Sequence, residues 1–484
     1  MTPQVAVETP DEAEALAPVA ERLTPATRRP RRTAAPRRST RRAKQTGHTV
    51  VAVVGLGYVG LPTAIALRGA GCRIVGIDVS GPRLSAIRGG EAELLGAEQR
   101  DLAGYLAEDG FVLTNRLKAL DAADLVLICV PTPVDEELRP DLQILRGACA
   151  EVVRHARPGQ TLVLTSTTYV GTTRELLADP LAERGLTVGE DVFVAFAPER
   201  IDPGVTEHAQ LKTPRVLGGV TPECTKRAAG VLRHTCKHLH LVSSPEAAEL
   251  VKLYENTFRA VNIALAFEIA EACSAHGLDP VEVTEGAATK PYGFLAHYPS
   301  AGVGGHCIAV DPYYLLGDLR ERGRPAKMAE EALRRVSGRP RHIAWRAHET
   351  LVELGCPLPD ARVLVVGASY KPGVADTREA PALQIMQRLR AEGARVEYYD
   401  PLVPSLDLKG QELYSVTLGQ TPKPAGRGSR TARGAGGTRA PEDYDLAILA
   451  TLHPDHDYDW LARCPAVLDC TYRRPDAGLR RFLP

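Results

Sequence analysis

Short runs of aliphatic and β-branched residues recur in two regions of the chain. In the first region the runs are Val50–Val54, Arg73–Asp78, Asp124–Val130, Thr161–Thr167 and Val192–Phe196. In the second region they are Arg362–Gly367, Ala394–Tyr399, Asp445–Thr451 and Ala466–Asp469. Uninterrupted apolar runs are typical of strands whose two faces are both covered, as in parallel sheets with helical crossovers. The pattern therefore predicts an α/β fold with two doubly wound domains.

A helical region separates the two predicted sheets. Between about Glu246 and His276, apolar residues recur at spacings of three and four, which places them on one face of a long helix. A second helical stretch runs from about residue 317 to residue 355. We expect a first α/β domain over residues 49–210, a central helical domain over 211–355 and a second, smaller α/β domain over 356–484.

Two polar segments interrupt this plan. Residues 1–48 hold an acidic, Pro/Ala-rich stretch followed by a block of arginine pairs, and residues 419–441 are rich in Gly, Arg, Pro and Thr. Because neither segment has apolar periodicity, neither buries enough surface to fold alone. We expect a disordered tail and a disordered surface loop. The tail is either an anion-binding or targeting arm or a solvated extension, and the sequence leaves both open.

Composition limits the classes of function. The formal net charge is zero, so nothing global indicates nucleic acid or an anionic membrane as a partner. We find no apolar run long enough to cross a bilayer, and no apolar core of a secretory signal. The 10 cysteines are scattered without a Cys-x-x-Cys pair, so we expect no metal site. These features predict a cytoplasmic protein, in a reducing environment that suits a reactive thiol.

A dinucleotide-binding fingerprint follows the first predicted strand. Gly55, Gly57 and Gly60 form a Gly-x-Gly-x-x-Gly turn between a strand and a helix, and the next strand ends at Asp78. Glycines let the backbone reach a pyrophosphate, which the helix amino terminus then stabilises. The Asp78 carboxylate would accept hydrogen bonds from the adenosine ribose and repel a 2′-phosphate. The first domain is therefore predicted to be Rossmann-like and to bind NAD rather than NADP.

Polar residues follow the ends of three further strands. Thr132 and Thr167 follow the carboxyl ends of two strands, which is where ligands bind to an open parallel sheet. Each threonine is therefore a candidate cofactor contact. A helix cap or a turn is an equally good interpretation of each threonine. Glu199 and Arg200 follow the strand that ends at Phe196. Glu199 is a candidate general base, and Arg200 suits a phosphate or carboxylate, with exposed surface charges as the alternative.

Cys307 follows a glycine-rich loop that begins at Gly302, and Asp311 lies four residues further on. A deprotonated thiol is a strong nucleophile and attacks a carbonyl carbon. An inert, buried cysteine beside a turn is the alternative.

A polar stripe runs along the long central helix. Lys252, Asn256 and Arg259 lie three or four residues apart and so share one side of that helix. An amide between two cations suits a site for an anionic or oxyanionic group. A solvated helix face is the alternative.

These motifs, in this order, resemble those of the nucleotide-sugar 6-dehydrogenases, a family that includes UDP-glucose and UDP-N-acetylhexosamine dehydrogenases. The resemblance covers about residues 49–475. The segments that carry it are Gly55–Pro62, Val130–Pro133, Ser166–Thr172, Ala197–Gly204, Lys252–Asn262, Gly302–Tyr314 and Tyr370–Pro381. The amino-terminal tail and the 419–441 segment lie outside it.

The resemblance implies an NAD-dependent, four-electron oxidation of a sugar CH2OH group to a carboxylate. It implies that Cys307 captures the aldehyde as a thiohemiacetal, which becomes a thioester that water hydrolyses. Lys252 would be the acid/base and electrostatic residue, and Asn256 would hold the developing oxyanion. Asp311 would help order the water or the lysine, and Glu199 would assist the hydrolysis.

The same resemblance implies the other contacts of the site. Tyr58, Val59 and Arg83 would join the fingerprint residues at the cofactor. The residues implied to contact the UDP-sugar are Arg200, Ile201, Arg259, Tyr298, Gly304, Tyr370, Lys371 and Arg378. Because Lys371 and Arg378 belong to the second α/β domain, the nucleotide would bridge the cleft between the domains. The helical middle would form a homodimer interface.

The substrate is the less determined part of the expectation. The segment Ala288–Phe294, leading to Tyr298, is similar to the UDP-N-acetylglucosamine and UDP-N-acetylmannosamine branches, from which it departs at His297 and at Ser300-Ala301. UDP-N-acetylglucosamine is the first expectation. UDP-glucose remains an alternative, and so does a two-electron NAD dehydrogenase of similar plan, although alcohol-to-ketone oxidation needs no nucleophile such as Cys307.

Overall fold

The structure is a computed structural model, and it describes residues 49–92, 94, 96–135, 137–200, 212–418, 437–473 and 480–484. At positions 306 and 307 it describes the backbone only. The predicted tail and most of the predicted loop over 419–441 therefore lie outside the described residues.

The first part of the described chain forms an eight-stranded sheet with helices packed against it. Its strands are β1 (Val50–Val54), β2 (Arg73–Ile77), β3 (Phe111–Thr114), β4 (Leu125–Ile128), β5 (Thr161–Leu164), β6 (Phe193–Phe196), β7 (Arg215–Gly219) and β8 (Leu239–Leu241). The strand order is β3-β2-β1-β4-β5-β6-β7-β8, and only the β6–β7 pair is antiparallel. The order reverses between β1 and β4, so a ligand crevice is expected beyond the carboxyl ends of these two strands.

The crossovers in this part are helical. The α-helices are α1 (Gly60–Gly69), α2 (Gly81–Gly89), α3 (Gly96–Leu106), α4 (Gln143–His155), α5 (Asp179–Glu183) and α6 (Pro222–Leu232). A 3-10 helix spans Leu117–Ala122, and a π-helical turn spans Arg174–Ala178. Because β7 and β8 belong to the same sheet, the sheet continues past residue 210, where we expected the first domain to end.

The side chains of β1 explain why each strand is a continuous run of apolar residues in the sequence. Ala52 and Val54 pack into one buried cluster, while Val51 and Val53 pack into a different cluster on the other face of the sheet. Each fully buried aliphatic side chain contributes about 1.5–3 kcal/mol relative to an exposed one. A polar residue at any of these positions would lose that contribution, so both faces select apolar residues.

The central part of the chain is helical. Its helices are α7 (Pro245–His276), α8 (Pro280–Ala288), α9 (His306–Glu321) and α10 (Lys327–Glu353). Ser244 begins α7 by accepting a hydrogen bond from the Ala247 N–H, and Gly277, with a φ of 68°, ends it. The predicted long helix is therefore observed with nearly its expected bounds. In contrast, α9 begins directly after the glycine-rich loop, well before the expected start near residue 317.

The second sheet follows these helices. Its strands are β9 (Arg362–Val366), β10 (Arg395–Tyr399), β15 (Leu446–Leu449), β16 (Val467–Asp469) and β17 (Arg481–Phe482), and α11 (Pro381–Ala391) packs beside them. They lie in the order β10-β9-β15-β16-β17, with parallel neighbours throughout. The predicted class, two Rossmann-like doubly wound regions joined by helices, is confirmed.

Two small ribbons complete the second α/β region. Strands β11 (Ser405–Leu408) and β12 (Gln411–Tyr414) form an antiparallel pair, and β13 (Thr417–Leu418) pairs in parallel with β14 (Thr438–Arg439). Thr438 and Arg439, near the end of the predicted 419–441 loop, are therefore part of a short strand. The Arg439 Nη2 pairs with the Glu397 Oε1 at 2.8 Å. Two 3-10 helices span Pro441–Asp443 and Asp459–Arg463.

None of the helices within the described ranges combines the length and the apolar character that crossing a bilayer requires.

Candidate functional site

The dinucleotide fingerprint forms a tight turn at the carboxyl end of β1. Gly55 has a φ of 89°, and a Cβ atom there would lie 2.6 Å from the Cys129 carbonyl oxygen. A Cβ atom on Gly60 would lie 1.8 Å from the Gly55 carbonyl oxygen. A Cβ atom on Gly57, by contrast, would meet no described atom within 4 Å. Gly55 and Gly60 are therefore required by packing, whereas Gly57 keeps the outer side of the turn open, as a bound pyrophosphate needs.

Asp78 is fixed to this turn by its own hydrogen bonds. Its two carboxylate oxygens accept from the Leu56 N–H and the Ser80 N–H, each at 2.9 Å. The Arg83 Nε donates to the Leu56 carbonyl oxygen at 3.0 Å. Asp78 and Arg83 thus lie beside the turn, where the adenosine end of the cofactor is expected, and the residues present fit NAD.

A buried cluster connects α7 with α9. The Asn256 Nδ2 donates to the Asp311 Oδ2 at 2.5 Å, and the Lys252 Nζ lies 3.9 Å from the same oxygen. The Lys252 Nζ also donates to the Glu199 carbonyl oxygen at 3.0 Å, and the Thr167 Oγ1 donates to the Asp311 Oδ2 at 3.4 Å. The four residues that were predicted to act in the reaction together with the cysteine are therefore joined through one carboxylate or one lysine.

Asp311 is the electrostatic centre of this cluster. It is only 5% exposed, and burial raises its pKa to about 6, against the opposing effects of Lys252, Asn256 and Thr167. A carboxyl group with such a pKa exchanges protons near neutral pH, as a general base or a proton relay requires.

Cys307 is the second residue of α9, whose first turn therefore carries it. Gly305, which has a φ of 71°, is the cap residue directly before the first residue of this helix. Asp311 lies four residues later, one helical turn further along. The backbone thus places position 307 at a helix amino terminus and beside the Asp311 cluster.

The glycine-rich loop packs against the second α/β region. The Gly305 N–H donates to the Arg378 carbonyl oxygen at 3.1 Å. A Cβ atom on Gly304 would lie 2.5 Å from the Tyr370 Cβ and 2.8 Å from the Glu379 carbonyl oxygen. The loop can take this position only because residue 304 lacks a side chain.

Arg378 also reaches the dinucleotide-binding turn. Its guanidinium carbon lies 3.9 Å from the centre of the Tyr58 ring, and its Nη2 pairs with the Asp376 Oδ2 at 2.6 Å. The first turn, the cysteine loop and the second α/β region therefore meet at one place. Lys371 is half-buried in the same segment as Tyr370.

Glu199 and Arg200 have different surroundings from each other. Glu199 is 6% exposed, and its Oε2 lies 3.5 Å from the Nη2 of the fully buried Arg215. Arg200 pairs with the Glu255 Oε1 at 2.6 Å. Ile201 lies outside the described residues.

The remaining predicted residues are less closely connected to the cluster. Thr132 and Val59 are half-buried. Arg259 is exposed on α7, one turn beyond Asn256. Tyr298 is half-buried, and the Arg473 guanidinium lies 5.3 Å from the centre of its ring.

Sequence reasoning missed two buried charged residues. Arg215 supports Glu199, and its signal was a charge at the start of an otherwise apolar strand. Glu249 lies on α7 one turn before Lys252 and accepts from the Gly171 N–H at 2.6 Å and from the Thr173 N–H and Oγ1 at 2.8 Å and 2.6 Å. Burial raises its pKa to about 7 in spite of these bonds. The sequence feature that could have identified Glu249 was an acidic residue on the face of the helix that is buried.

The fold and the site together define a dehydrogenase of two α/β regions, with a dinucleotide turn in the first and a cysteine loop between them. Residues 49–236 match the family model of the NAD binding domain of the UDP-glucose/GDP-mannose dehydrogenase family, 246–335 match its central domain, and 364–472 match its UDP binding domain. The chain belongs to this family. It is an NAD-dependent nucleotide-sugar dehydrogenase with a UDP-sugar-binding domain.

Named relatives and a solved structure agree with this family assignment. The chain is 36% identical to the UDP-N-acetyl-D-mannosamine dehydrogenase of Pyrococcus horikoshii over 355 residues, which cover 73% of this chain and 84% of the relative. It is 32% identical to the UDP-N-acetyl-D-glucosamine 6-dehydrogenase of Pseudomonas aeruginosa over 408 residues, or 84% of this chain and 90% of the relative. A solved UDP-D-ManNAc dehydrogenase from Pyrococcus horikoshii superposes with a TM-score of 0.77 at 30% identity, covering 90% of this chain and 99% of that one.

Proposed function

We propose that this chain oxidises the C6 hydroxymethyl group of a UDP-N-acetylhexosamine to a carboxylate, with Cys307 as the nucleophile. The observation that carries the proposal is the buried Lys252–Asn256–Asp311 cluster one helical turn from position 307. A four-electron oxidation needs a group that converts the intermediate aldehyde into a tetrahedral adduct, and a thiolate does so.

The cofactor site belongs to the same proposal. Gly55, Gly57 and Gly60 would hold the pyrophosphate of NAD, with Asp78 at the ribose and Tyr58, Val59, Arg83, Thr132 and Thr167 around it. When bound, NAD supplies the acceptor for the hydride that leaves the sugar carbon, once for the alcohol and once for the thiohemiacetal.

The cluster residues then take separate roles. A helix amino terminus and a nearby lysine both favour the thiolate form of a cysteine, so the α9 start and Lys252 would activate Cys307. The Asn256 amide would donate to the oxyanion of the adduct, which requires that its bond to Asp311 be exchanged. Asp311, with a pKa of about 6, would accept a proton from Lys252 or from water. Glu199, buried beside Arg215, would orient the water that hydrolyses the thioester.

The UDP-sugar would lie where the cysteine loop meets the second α/β region. Lys371 and Arg378 would contact the diphosphate, and Tyr370 and Gly304 would line the path. Because Arg378 now pairs with Asp376 and Arg200 pairs with Glu255, substrate phosphate or sugar oxygens would compete with these carboxylates. Arg259, Tyr298 and Ile201 complete the proposed substrate set.

The sugar is proposed to be UDP-N-acetylglucosamine first and UDP-N-acetylmannosamine second. Both names occur among the relatives, at 32% and 36% identity, so overall similarity favours an N-acetylhexosamine without choosing the epimer. UDP-glucose is the alternative. A cytoplasmic location fits a thiol enzyme, and the cysteines described with side chains are all free.

A homodimer is proposed from an apolar stripe on α7. Leu250, Tyr254, Phe258, Leu265 and Ile269 follow one another at spacings of four and seven, and each is at least 40% exposed. Large apolar side chains in a continuous stripe mark an interaction surface. Since the stripe also flanks Arg259, a second copy seated on it would bring this arginine into the interface.

The test is the amount of NADH formed per UDP-sugar consumed, with UDP-N-acetylglucosamine, UDP-N-acetylmannosamine and UDP-glucose offered separately. Two NADH per sugar with one N-acetylhexosamine preferred is the expected result. Cys307→Ala should abolish acid formation and keep NAD binding, while Cys356→Ala, at a half-buried free cysteine, should change neither. One NADH per sugar, or undiminished acid production by Cys307→Ala, would remove the proposed mechanism.

A further inference from the structure

A basic cavity lies between α7 and α10, and the residues placed in the catalytic and cofactor sites do not line it. Its volume is about 360 Å³, within the range of about 300–1,000 Å³ that is typical of small-molecule sites. Four arginines and one glutamate line it. Arg334 pairs with Glu331, and Arg335 pairs with Glu268 and Glu271. Arg339 and Arg341 have no carboxylate partner among the described residues, and these two charges favour an anion as the occupant.

Arg339 is the buried arginine of this cavity. It is 2% exposed, its Nε donates to the Ser300 carbonyl oxygen at 3.2 Å, and its Nη2 donates to the Tyr472 hydroxyl at 2.7 Å. Its Nη1 is buried with no hydrogen-bond partner in the part of the chain that the structure describes. A buried charged donor without a partner is costly, so an acceptor in the cavity would stabilise this arrangement.

Two neighbouring side chains also have a buried nitrogen atom without a hydrogen-bond partner. The Arg335 Nε and the His342 Nε2 are buried and lack partners among the described residues, and both side chains line the cavity. Glu268 and Glu271 engage only the terminal nitrogens of Arg335. Three buried nitrogen atoms, from three side chains that line the cavity, therefore lack hydrogen-bond partners among the described residues.

The cavity mouth also offers a flat surface. Trp345 is 54% exposed, and its ring centre lies 5.7 Å from that of His342. The exposed Arg334 and Arg341 line the same mouth. Guanidinium groups beside an aromatic ring suit a phosphorylated organic molecule, because the guanidinium groups form bidentate hydrogen bonds with phosphate and the ring stacks on the organic part.

We propose that this cavity binds the phosphate group of a small phosphorylated molecule, which acts as an effector of the enzyme. The route to the catalytic site is short. Arg339 holds Ser300, which lies two residues before Gly302 at the start of the cysteine loop, and Tyr472 in the second α/β region. A ligand that engages the Arg339 Nη1 therefore alters the support of both parts.

Tryptophan fluorescence gives a direct test with inorganic pyrophosphate as the probe. The chain has two tryptophans, so Trp460→Phe leaves Trp345 as the reporter. The Trp460 Nε1 has no described hydrogen-bond partner, and phenylalanine therefore removes no known bond. In this background we expect a saturable change of Trp345 emission on addition of pyrophosphate, and none with sodium chloride at the same ionic strength.

Paired charge variants then locate the binding. Arg334→Gln with Arg341→Gln should weaken pyrophosphate binding at least about tenfold, since two charged contacts are lost. Arg324→Gln with Lys327→Gln removes the same charge from exposed positions outside the cavity lining and should leave the affinity unchanged. Saturating pyrophosphate should alter the rate of NAD reduction in the parent and the control, but not in the Arg334/Arg341 variant.

Three results would overturn the proposal. The first is the absence of a saturable emission change in the parent, and the second is an equal loss of affinity in both charge variants. The third is a Trp345 response that follows protein concentration, because it would mean that a second copy of the chain covers the cavity.

Discussion

Replacing Asp311 by asparagine should stabilise the protein at neutral pH and remove most of its activity. Burial raises the pKa of Asp311 from 3.8 to about 6, although Lys252, Asn256 and Thr167 act in the opposite direction. Above pH 6 the folded protein therefore holds an ionised carboxylate at an energetic cost. A neutral amide avoids this cost, and its carbonyl oxygen still accepts from the Asn256 amide.

The expected magnitude follows from the two pKa values. Their difference is about 2.2, and at about 1.36 kcal/mol for each pKa unit the ionised group costs about 3 kcal/mol. Because the native state binds this proton more tightly than the unfolded chain does, the stability that the group contributes is complete below about pH 4. It is lost as the pH rises through about 6. The cost at pH 5 is about half of the cost at pH 7.5, which is about 3 kcal/mol.

The assay is the Tm of Asp311→Asn minus the Tm of the parent, measured from pH 5 to pH 8. For a chain of 484 residues that unfolds as one unit, about 3 kcal/mol corresponds to roughly 3 °C. The difference should therefore double between pH 5 and pH 7.5, while kcat falls at least about 100-fold. Asp318→Asn, on the same helix and paired with Arg322, should show no such pH-dependent gain and should keep the activity. A Tm difference that is negative, or constant over this pH range, would refute the reasoning.

Two further substitutions test the cofactor turn and the missed ion pair. Gly57→Ala should leave Tm within about 1 °C because its Cβ meets no described atom, but it should raise the KM for NAD at least about tenfold by filling the open side of the turn. The control, Gly104→Ala, adds an equally uncrowded Cβ on α3 and should leave the KM for NAD unchanged. Equal KM values for the two variants would contradict the assignment of the turn to the cofactor. Arg215→Met should destabilise the fold by about 3 kcal/mol in chemical denaturation, because it leaves the buried Glu199 carboxylate without its guanidinium. Adding Glu199→Gln should recover much of that loss, and additive losses in the double variant would show that the two side chains are not coupled.

The sequence predicted those parts of the protein that depend on neighbours along the chain. The strand that ends at Val54, the glycine turn after it and the acid at Asp78 all lie within one βαβ unit, so their spacing alone indicated dinucleotide binding. The apolar periodicity between Glu246 and His276 likewise gave the long helix nearly to its ends. The order of the motifs then carried the resemblance to a known family, and that resemblance implied the reaction.

The start of α9 was less accessible to sequence reasoning. The glycines before Cys307 predict a loop, and Pro312 lies inside the helix that follows. Proline usually interrupts helices, so the first turn at His306 was not expected. Its position matters, because it places residue 307 at a helix amino terminus.

Only the tertiary structure decided which distant side chains meet. Asp311 receives hydrogen bonds from Asn256 and Thr167, which lie 55 and 144 residues away in the chain. The Arg378 guanidinium packs on the ring of Tyr58, which lies in the first α/β region, far away along the chain. Periodicity and local spacing determine which face of a helix or strand is buried, because they reflect backbone geometry. They do not determine what that face packs against, since the partner depends on how whole sheets and helices close around shared cores, and the ionisation of a group such as Asp311 depends on that closure.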